Sequence, residues 1–271
     1  MGERINYHQR IFKVGLNGKY GLMNKAEKAF TGLKYDIVSC HYAADYRIAD
    51  VWLNYKHGFV DAHCNEIVPF KYDCINSFEN GFARVSIDDK YGFIYLNGDE
   101  VIPPRYDDAQ THFSDEFIWV QINGKYGFIN TTGDVVIPLL FDGAKPFSDG
   151  MAAVKTGNKW GYINKTGVEV IPPLYEHAMR FANGKALVCE GEKVVQIDKK
   201  GEELQRLYNF VRFVFCESEI LVTHKGKQGI IDDRGNIIIV PQYDEIKNPG
   251  FGSYYTAILD GKYLFINRFI K

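Results

Sequence analysis

The feature that most constrains the fold is an internal repeat of about 34 residues. Its anchors are the glycines of the tripeptides KYG, KHG, KWG and KQG, at Gly21, Gly58, Gly92, Gly127, Gly161 and Gly229. These anchors are 37, 34, 35, 34 and 68 residues apart. Halving the last spacing places a degenerate repeat at Val195, within KVVQID, and another follows at Leu264, within KYLFIN. A fixed period of this length is typical of repeat proteins, and it predicts one domain of eight repeats over residues 1–271.

Other columns of residues keep the same register. Aliphatic residues stand seven positions before and two positions after each anchor, and Asn or Asp stands three after it in seven of the eight repeats. A lysine stands two positions before every anchor: Lys19, Lys56, Lys90, Lys125, Lys159, Lys193, Lys227 and Lys262. Because chance would not hold residue types constant in several columns, the register predicts eight equivalent segments.

Each repeat predicts a three-stranded β-meander, and the chain therefore an all-β fold. In the fifth repeat, MAAVK, WGYIN and VEVIP are separated by the short turns GNK and KTG. Ile-Pro or Val-Pro is expected to end the third strand, because proline cannot donate to a sheet. The second strand is apolar on both faces, which places it between stacked layers. Its glycine is expected to leave room for an aromatic side chain of the next repeat.

The sequences KWGYIN, KYGFIN and KYGFIY, each followed by VIPPLYE, VIPP or a related segment, resemble the bacterial WG repeat family, also called KWG repeats. The resemblance covers nearly the whole chain. The sixth and eighth repeats depart from it at Val195 and Leu264, and the sixth also lacks Ile-Pro, which predicts distorted or boundary repeats there. The resemblance implies an all-β accessory or interaction module without a family-wide catalytic site, and it names no ligand.

Two arrangements of the repeats are compatible with the sequence. Stacked repeats can form an open, curved solenoid or can close into a propeller-like ring. Propeller blades usually have four strands, whereas each repeat here predicts three. The sequence therefore favours the open solenoid, with the ring as the alternative.

Composition and charge exclude several classes of function. With 32 Lys and Arg against 34 Asp and Glu, the formal charge is −2, so no basic excess predicts nucleic-acid binding. No apolar run is long enough to predict a transmembrane helix, and the N-terminal residues do not resemble a secretory signal. Five cysteines without a C-x-x-C pair favour a reducing compartment, and a cytoplasmic protein is expected by default.

Candidate sites for metal binding and catalysis have simpler structural interpretations. Recurring lysines and acids favour ion pairs and turn contacts over a phosphate-binding row. No short paired spacing of zinc ligands is found in the set Cys40, His41, His57, His63, Cys64 and Cys74. The chain has no G-x-S-x-G, P-loop, H-E-x-x-H or dinucleotide-binding motif. We therefore predict no catalytic residues, no metal and no cofactor.

The predicted function is protein binding by a non-catalytic scaffold. Beside the valine column of the first strand, on the opposite face, which we expect to point outward, stand Trp52, Arg84 and Trp119. These are residue types enriched at binding hot spots. The alternative for these residues is that the tryptophans belong to the core. Alternative functions are carbohydrate or cell-envelope binding through exposed aromatic rings and, third, an enzyme with an unrecognised site.

Overall fold

A computed structural model describes residues 11–39, 48–191, 193–214, 219–247 and 254–267, and these residues form β-strands, turns and loops without a helix. No helix of this part of the chain is therefore long and apolar enough to cross a membrane. The strands of the first three repeats are β1 (Ile11–Leu16), β2 (Lys19–Asn24), β3 (Ala29–Phe30), β4 (Ile37–Ser39), β5 (Ile48–Leu53), β6 (Lys56–Asp61), β7 (Glu66–Tyr72), β8 (Cys74–Ile75), β9 (Phe82–Ile87), β10 (Lys90–Tyr95) and β11 (Glu100–Tyr106).

The next two repeats contain β12 (Asp108–Ala109), β13 (Phe117–Ile122), β14 (Lys125–Asn130), β15 (Val135–Phe141), β16 (Gly143–Ala144), β17 (Met151–Thr156), β18 (Lys159–Asn164) and β19 (Glu169–Tyr175). The last three contain β20 (His177–Ala178), β21 (Lys185–Glu190), β22 (Lys193–Asp198), β23 (Glu203–Val214), β24 (Glu219–His224), β25 (Lys227–Asp232), β26 (Ile237–Tyr243), β27 (Glu245–Lys247), β28 (Tyr254–Leu259) and β29 (Lys262–Asn267). The chain divides into two compact units, Met1–Asn123 with Ile129–Val135, and Gly124–Phe128 with Val136–Lys271.

All eight anchor segments are six-residue strands that begin at the repeat lysine, as the columns predict. The segments KVVQID and KYLFIN, which lack the glycine, follow the same pattern. Within the first hairpin, the aliphatic column pairs directly with the anchor column, for example Val51 with Gly58 and Val154 with Gly161. The prediction of β-strands at all eight anchors is confirmed.

From the second repeat to the fifth, the three-stranded meander gains a fourth, short strand that the sequence did not predict. In the third repeat the sheet order is β11-β10-β9-β8, and the added strand β8 directly follows the Tyr72 and Asp73 pair of the preceding repeat. The second and fifth repeats form four-stranded sheets in the same way. A two-residue strand carries no hydrophobic alternation, so no pattern could indicate it.

Proline does not end the third strand, contrary to the sequence-based expectation. Strand β19 runs through Pro172 and Pro173 to Tyr175, because it lies at the edge of its sheet, where a missing N–H donor is tolerated. The prolines instead accompany a bulge. Trp160 pairs with Tyr175 and Tyr162 pairs with Ile171, so β19 uses four residues where β18 uses two. The same register shift occurs between β10 and β11 and between β25 and β26.

The bulge explains the glycine column, and the explanation differs from the expected one. A Cβ atom at Gly161 would lie 2.5 Å from the carbonyl oxygen of Ile171 and 2.8 Å from the carbonyl carbon of Pro172. A Cβ atom at Gly127 would lie 2.6 Å from the carbonyl oxygen of Ile137. The glycine therefore gives room to the bulged third strand of its own repeat, and the prediction of an aromatic side chain from the next repeat is wrong.

The sixth repeat lacks both the glycine and the Ile-Pro pair, because its third strand does not form the proline bulge that requires the glycine. Its third strand, β23, is twelve residues long and pairs with β22 on one side and β24 on the other. Without the proline bulge, the anchor column holds Val195, which pairs with Arg206 and is buried. The sixth and seventh repeats consequently share a seven-stranded sheet, where a distorted or boundary repeat was predicted.

The hydrophobic core lies between consecutive sheets, as the two-sided apolar strands predict. One cluster joins Tyr162, Ile171 and Tyr175 of the fifth repeat to Phe181 and Val188 of the sixth. Within the other unit, a second cluster joins the second and third repeats in the same manner. Each repeat is therefore completed by its neighbour, which is the usual physics of repeat proteins.

Candidate binding surface

The lysine row is structural. Its ammonium groups pair with the acid that follows the repeat tyrosine, seventeen residues further along the chain. Lys125 Nζ lies 2.6 Å from Asp142 Oδ1, and Lys56 Nζ lies 2.5 Å from Asp73 Oδ1. The full set of pairs is Lys19 and Asp36, Lys56 and Asp73, Lys90 and Asp107, Lys125 and Asp142, Lys159 and Glu176, and Lys227 and Asp244. The prediction of repeated ion pairs is confirmed for these six of the eight lysines.

The second oxygen of each acid ties one repeat to the next. Asp73 Oδ2 accepts a hydrogen bond from the backbone N–H of Asp88, in the hairpin turn of the following repeat, at 2.8 Å. The lysine and this N–H together lower the pKa of the carboxyl group. At Glu176, Lys159 and the N–H of Gly191 lower the pKa to about 2. We call each lysine, acid and turn N–H set a latch.

The Asn or Asp column caps the turn between the second and third strands. Asn164 Oδ1 accepts hydrogen bonds from the backbone N–H groups of Thr166 and Val168, both at 3.0 Å. Asp232 makes the equivalent contacts with Arg234 and Asn236. These columns therefore specify the fold. Residues of a functional site are expected among those that depart from the repeat.

The most conspicuous departure is Tyr55, in the hairpin turn of the second repeat. Asn54 and Tyr55 have φ angles of 51° and 62°, which are typical of a type I′ turn that favours glycine at its second position. Four of the other hairpin turns place glycine there, at Gly18, Gly124, Gly226 and Gly261, and the third repeat places Asp89 there. The Tyr55 side chain is nevertheless 93% exposed. An aromatic residue held in a left-handed backbone conformation and open to solvent gives the fold no evident packing.

Tyr55 shares a shallow depression with Trp52, and Asp36, Ile37 and Asn54 complete its lining. Ile37 is 51% exposed and stands directly opposite Trp52 in the β4–β5 pairing. These three apolar side chains form what we call the aromatic patch: Trp52, Tyr55 and Ile37. Sequence analysis identified Trp52 but missed Tyr55, although an aromatic residue in a glycine turn position was a detectable signal.

The Trp52 ring is fixed from behind by His57. Their ring centroids are 4.4 Å apart with an interplanar angle of 13°. His57 is itself buried: its Nδ1 accepts the backbone N–H of Ile75 at 2.9 Å, and its Nε2 contacts Asp50 Oδ1. A half-buried indole on a rigid support presents apolar surface with little conformational freedom to lose on binding.

The acid in the depression is already engaged. Asp36 Oδ1 pairs with Lys19, and Asp36 Oδ2 accepts the backbone N–H of Asn54 at 2.7 Å. Both contacts lower the pKa of Asp36, and the paired lysine balances its charge. The aromatic patch is therefore bordered by a neutralised latch.

The other two predicted site residues lie outside this depression. Arg84 spans two repeats: its Nη1 donates to the carbonyl oxygen of Ala109 at 2.5 Å, and its guanidinium lies 4.6 Å from the centroid of the Tyr91 ring. Only 18% of its side chain is exposed. Trp119 is half-buried. Its carbonyl oxygen accepts a hydrogen bond from the backbone N–H of Gln110, and its own N–H donates to the side-chain oxygen of Gln110. The structure thus groups Trp52 with Tyr55 and not with Arg84 or Trp119.

The face expected to be open on the first strand is closed in the fifth to seventh repeats. The position one before the valine column holds Ala153, Leu187 and Leu221, all at most 2% exposed. Each belongs to a hydrophobic cluster. The premise that this face is outward throughout the chain is therefore wrong, because neighbouring repeats cover it.

The histidines and cysteines considered for metal binding are separated by their contacts. His63 pairs with Glu27, and Cys64 contacts the carbonyl oxygens of Leu22 and Ala29. Cys74 is exposed, while Cys40 and His41 lie outside the described residues. Within the described ranges, no group of three His, Cys, Asp or Glu side chains is arranged to hold a metal ion.

Comparison with known families gives five matches to the WG containing repeat, over residues 58–91, 91–126, 126–160, 160–193 and 229–263. These matches cover more than half of the chain. The protein belongs to the WG-repeat family. In this WG-repeat protein, the lysine, glycine and tyrosine-acid columns that define the repeat are the residues of the latches and the proline bulge. No curated protein matches the chain.

Two solved structures show a distant likeness to the chain. Hsv2 of Kluyveromyces lactis is 10% identical with a TM-score of 0.41, over 69% of this chain and 71% of that one. A eukaryotic initiation factor is 13% identical with a TM-score of 0.41, over 92% of this chain and 78% of that one. Likenesses with TM-scores below 0.5 assign no function to the WG-repeat chain.

Proposed function

We propose that this WG-repeat protein is a non-catalytic scaffold that binds another protein, and that the aromatic patch is part of the binding surface. The observation that carries the proposal is Tyr55, which is almost fully exposed at a strained turn position beside the supported ring of Trp52. Strained residues persist where the surrounding structure or a function requires them. Tyr and Trp are also the residue types that dominate protein-binding hot spots.

The chemistry of the patch favours an apolar side chain of a protein over a sugar. A sugar ring stacks on an aromatic side chain but also needs hydrogen-bond partners for its hydroxyl groups. Both oxygens of Asp36, the acid among the described residues that line the depression, are already bonded to Lys19 and to the N–H of Asn54. A glycan is therefore the second candidate, supported by the exposed Tyr55 ring and by the Asn54 amide in the same lining.

The test uses a substitution that separates binding from folding. Tyr55→Gly introduces the residue found in four of the equivalent turns, so we expect unchanged or increased stability. Trp52→Ala removes the supported ring, and truncation of a genuine hot spot costs at least about 2 kcal/mol of binding free energy. Affinity is measured by calorimetry against the stoichiometric protein captured from the source organism, with Tyr263→Ser, at another exposed tyrosine, as control.

Three outcomes decide the proposal. Loss of the partner by Tyr55→Gly and Trp52→Ala, with full retention by Tyr263→Ser and normal melting of all three, supports it. Full affinity in both patch variants excludes the aromatic patch, and retention on a glycan array instead of by a protein favours the second candidate. Arg84 and Trp119 stay proposed members of a wider surface, and Trp119→Ala tests that extension separately.

We also propose that the eight repeats form one domain, stacked as an open, curved solenoid. The repeating latches and the shared cores between consecutive sheets support sequential stacking. The closed ring is the alternative, and the fourth short strand favours it by giving each complete sheet the strand number of a propeller blade.

A further inference from the structure

A second departure from the repeat lies in the sixth repeat, in the column directly after the anchor. This column is apolar elsewhere: Leu22, Phe59, Phe93, Phe128, Tyr162, Ile230 and Phe265. All of these except Phe265 are at most 7% exposed. In the sixth repeat the column holds Gln196, which is only partly buried. A polar amide therefore stands where the other repeats place core side chains.

In four repeats the aromatic side chain of this column packs against a second aromatic ring. Phe128 packs against Phe147, and Tyr162 packs against Phe181, with ring centroids 4.8 Å apart in both cases. Phe59 and Phe93 make similar contacts. Gln196 cannot form such a pair, and the space around it is an open pocket of about 290 Å³.

Polar side chains from three segments line this pocket. Asn183 and Lys185 come from the start of the sixth repeat, Gln196 lies on β22, and Asp233, Arg234 and Asn236 come from the capped turn after β25. Leu187, which pairs directly with Gln196, contributes an apolar wall. An amide, an ammonium and a guanidinium group therefore line one small cavity.

The charge around the pocket is positive. Asp233 is already paired, since its Oδ2 lies 2.9 Å from Arg180 Nε. Neither Lys185 nor Arg234 forms an ion pair with any residue in the described part of the chain. The lining therefore contains two cations that have no ion-pair partner among the described residues and one acid that is already paired. A guanidinium binds carboxylates in a bidentate manner.

We propose that this pocket binds a small molecule that carries a carboxylate group. Arg234 and Lys185 would bind the carboxylate, and the Gln196 amide would hydrogen-bond to the rest of the molecule. The pocket volume is at the lower end of the range for small-molecule sites, which favours a metabolite-sized ligand. This site is separate from the aromatic patch and does not depend on the proposed protein binding.

The experiment titrates the full chain with glutarate at low salt, followed by amide NMR shifts and calorimetry. We expect saturable binding with shifts at Gln196 and Arg234, and at least about tenfold weaker binding in Arg234→Gln, from the loss of charge-assisted hydrogen bonds. The matched control is Lys200→Gln, which removes one positive charge at the equivalent turn position of the sixth repeat. Neutral glutaramide and inorganic phosphate test the requirement for a carboxylate.

A third variant tests the origin of the pocket. Gln196→Phe introduces the side chain found in four of the other repeats and is expected to fill the cavity and abolish glutarate binding. If this variant fails to fold, Arg234→Gln, which lies on an exposed turn, still decides the question. The proposal is overturned if glutarate does not saturate, if glutaramide or phosphate binds as well as glutarate, or if Arg234→Gln and Lys200→Gln bind equally.

Discussion

At the scale of single residues, the anchor glycine shows how a sequence pattern can be recognised correctly and explained incorrectly. The column was detectable because the glycine recurs, but its reason depends on the backbone path of the third strand. A bulge depends on how two strands register, which one strand's composition does not specify. Tyr55 is the opposite case, since its turn type was predictable while its exposure needed the structure.

Gly161→Ala is predicted to destabilise the protein by roughly 1–3 kcal/mol. The new methyl group would lie 2.5 Å from the backbone oxygen of Ile171, which cannot rotate away. The reduced entropy of the unfolded chain offsets at most about 1 kcal/mol. Urea denaturation measures the change, and Leu264→Ala in the same column, at a side chain that is 38% exposed, is the milder control. Equal stability of wild type and Gly161→Ala would contradict the bulge explanation.

The capped turn gives a second prediction at this scale. Asn164→Ala removes the acceptor for the N–H groups of Thr166 and Val168, and we expect a loss of about 1–2 kcal/mol of unfolding free energy. Asn164→Asp should retain most of the stability, since Asp198 and Asp232 cap equivalent turns. If both variants melt alike, the side-chain cap is not the contact that matters.

At the scale of elements, the latches predict how stability depends on pH. The six latch acids have lowered pKa values in the folded state, so their contribution is present above the unfolded pKa and is lost as the pH falls. For Glu176 this window runs from 4.5 down to about 2. We expect the urea midpoint to fall as the pH is lowered through this range.

The matched variant for the latches replaces both partners of one pair. The double variant Lys159→Gln with Glu176→Gln removes one of the six latch contributions to the pH dependence of stability. The urea midpoint should therefore fall less steeply below pH 4.5 than in the wild type. High salt should reduce the difference, since these pairs are partly exposed. A midpoint that rises as the pH falls below 4 would contradict the role of the latches.

The same elements show how far the sequence could predict the fold. Eight strands and the lysine-acid pairs followed from columns that recur every 34 residues or so. The two-residue strand β8 and the continuation of β19 through Pro172 did not, since both depend on a neighbouring strand. The polar pocket was detectable in part, because Gln196 interrupts an apolar column, but its lining comes from a turn in the next repeat.

At the scale of the whole molecule, the arrangement of the repeats can be measured in solution. In the proposed solenoid, eight repeats stacked about 10 Å apart would extend roughly 80 Å, and a gently curved stack of that length would have a radius of gyration of about 23 Å or more. A compact arrangement of 271 residues has a radius near 19 Å. We predict that small-angle scattering gives a radius of gyration near the larger of these two values, with an asymmetric distribution of interatomic distances. A value near 19 Å would reject the open solenoid and favour the ring, and Gln196→Phe, which changes one pocket only, should scatter like the wild type.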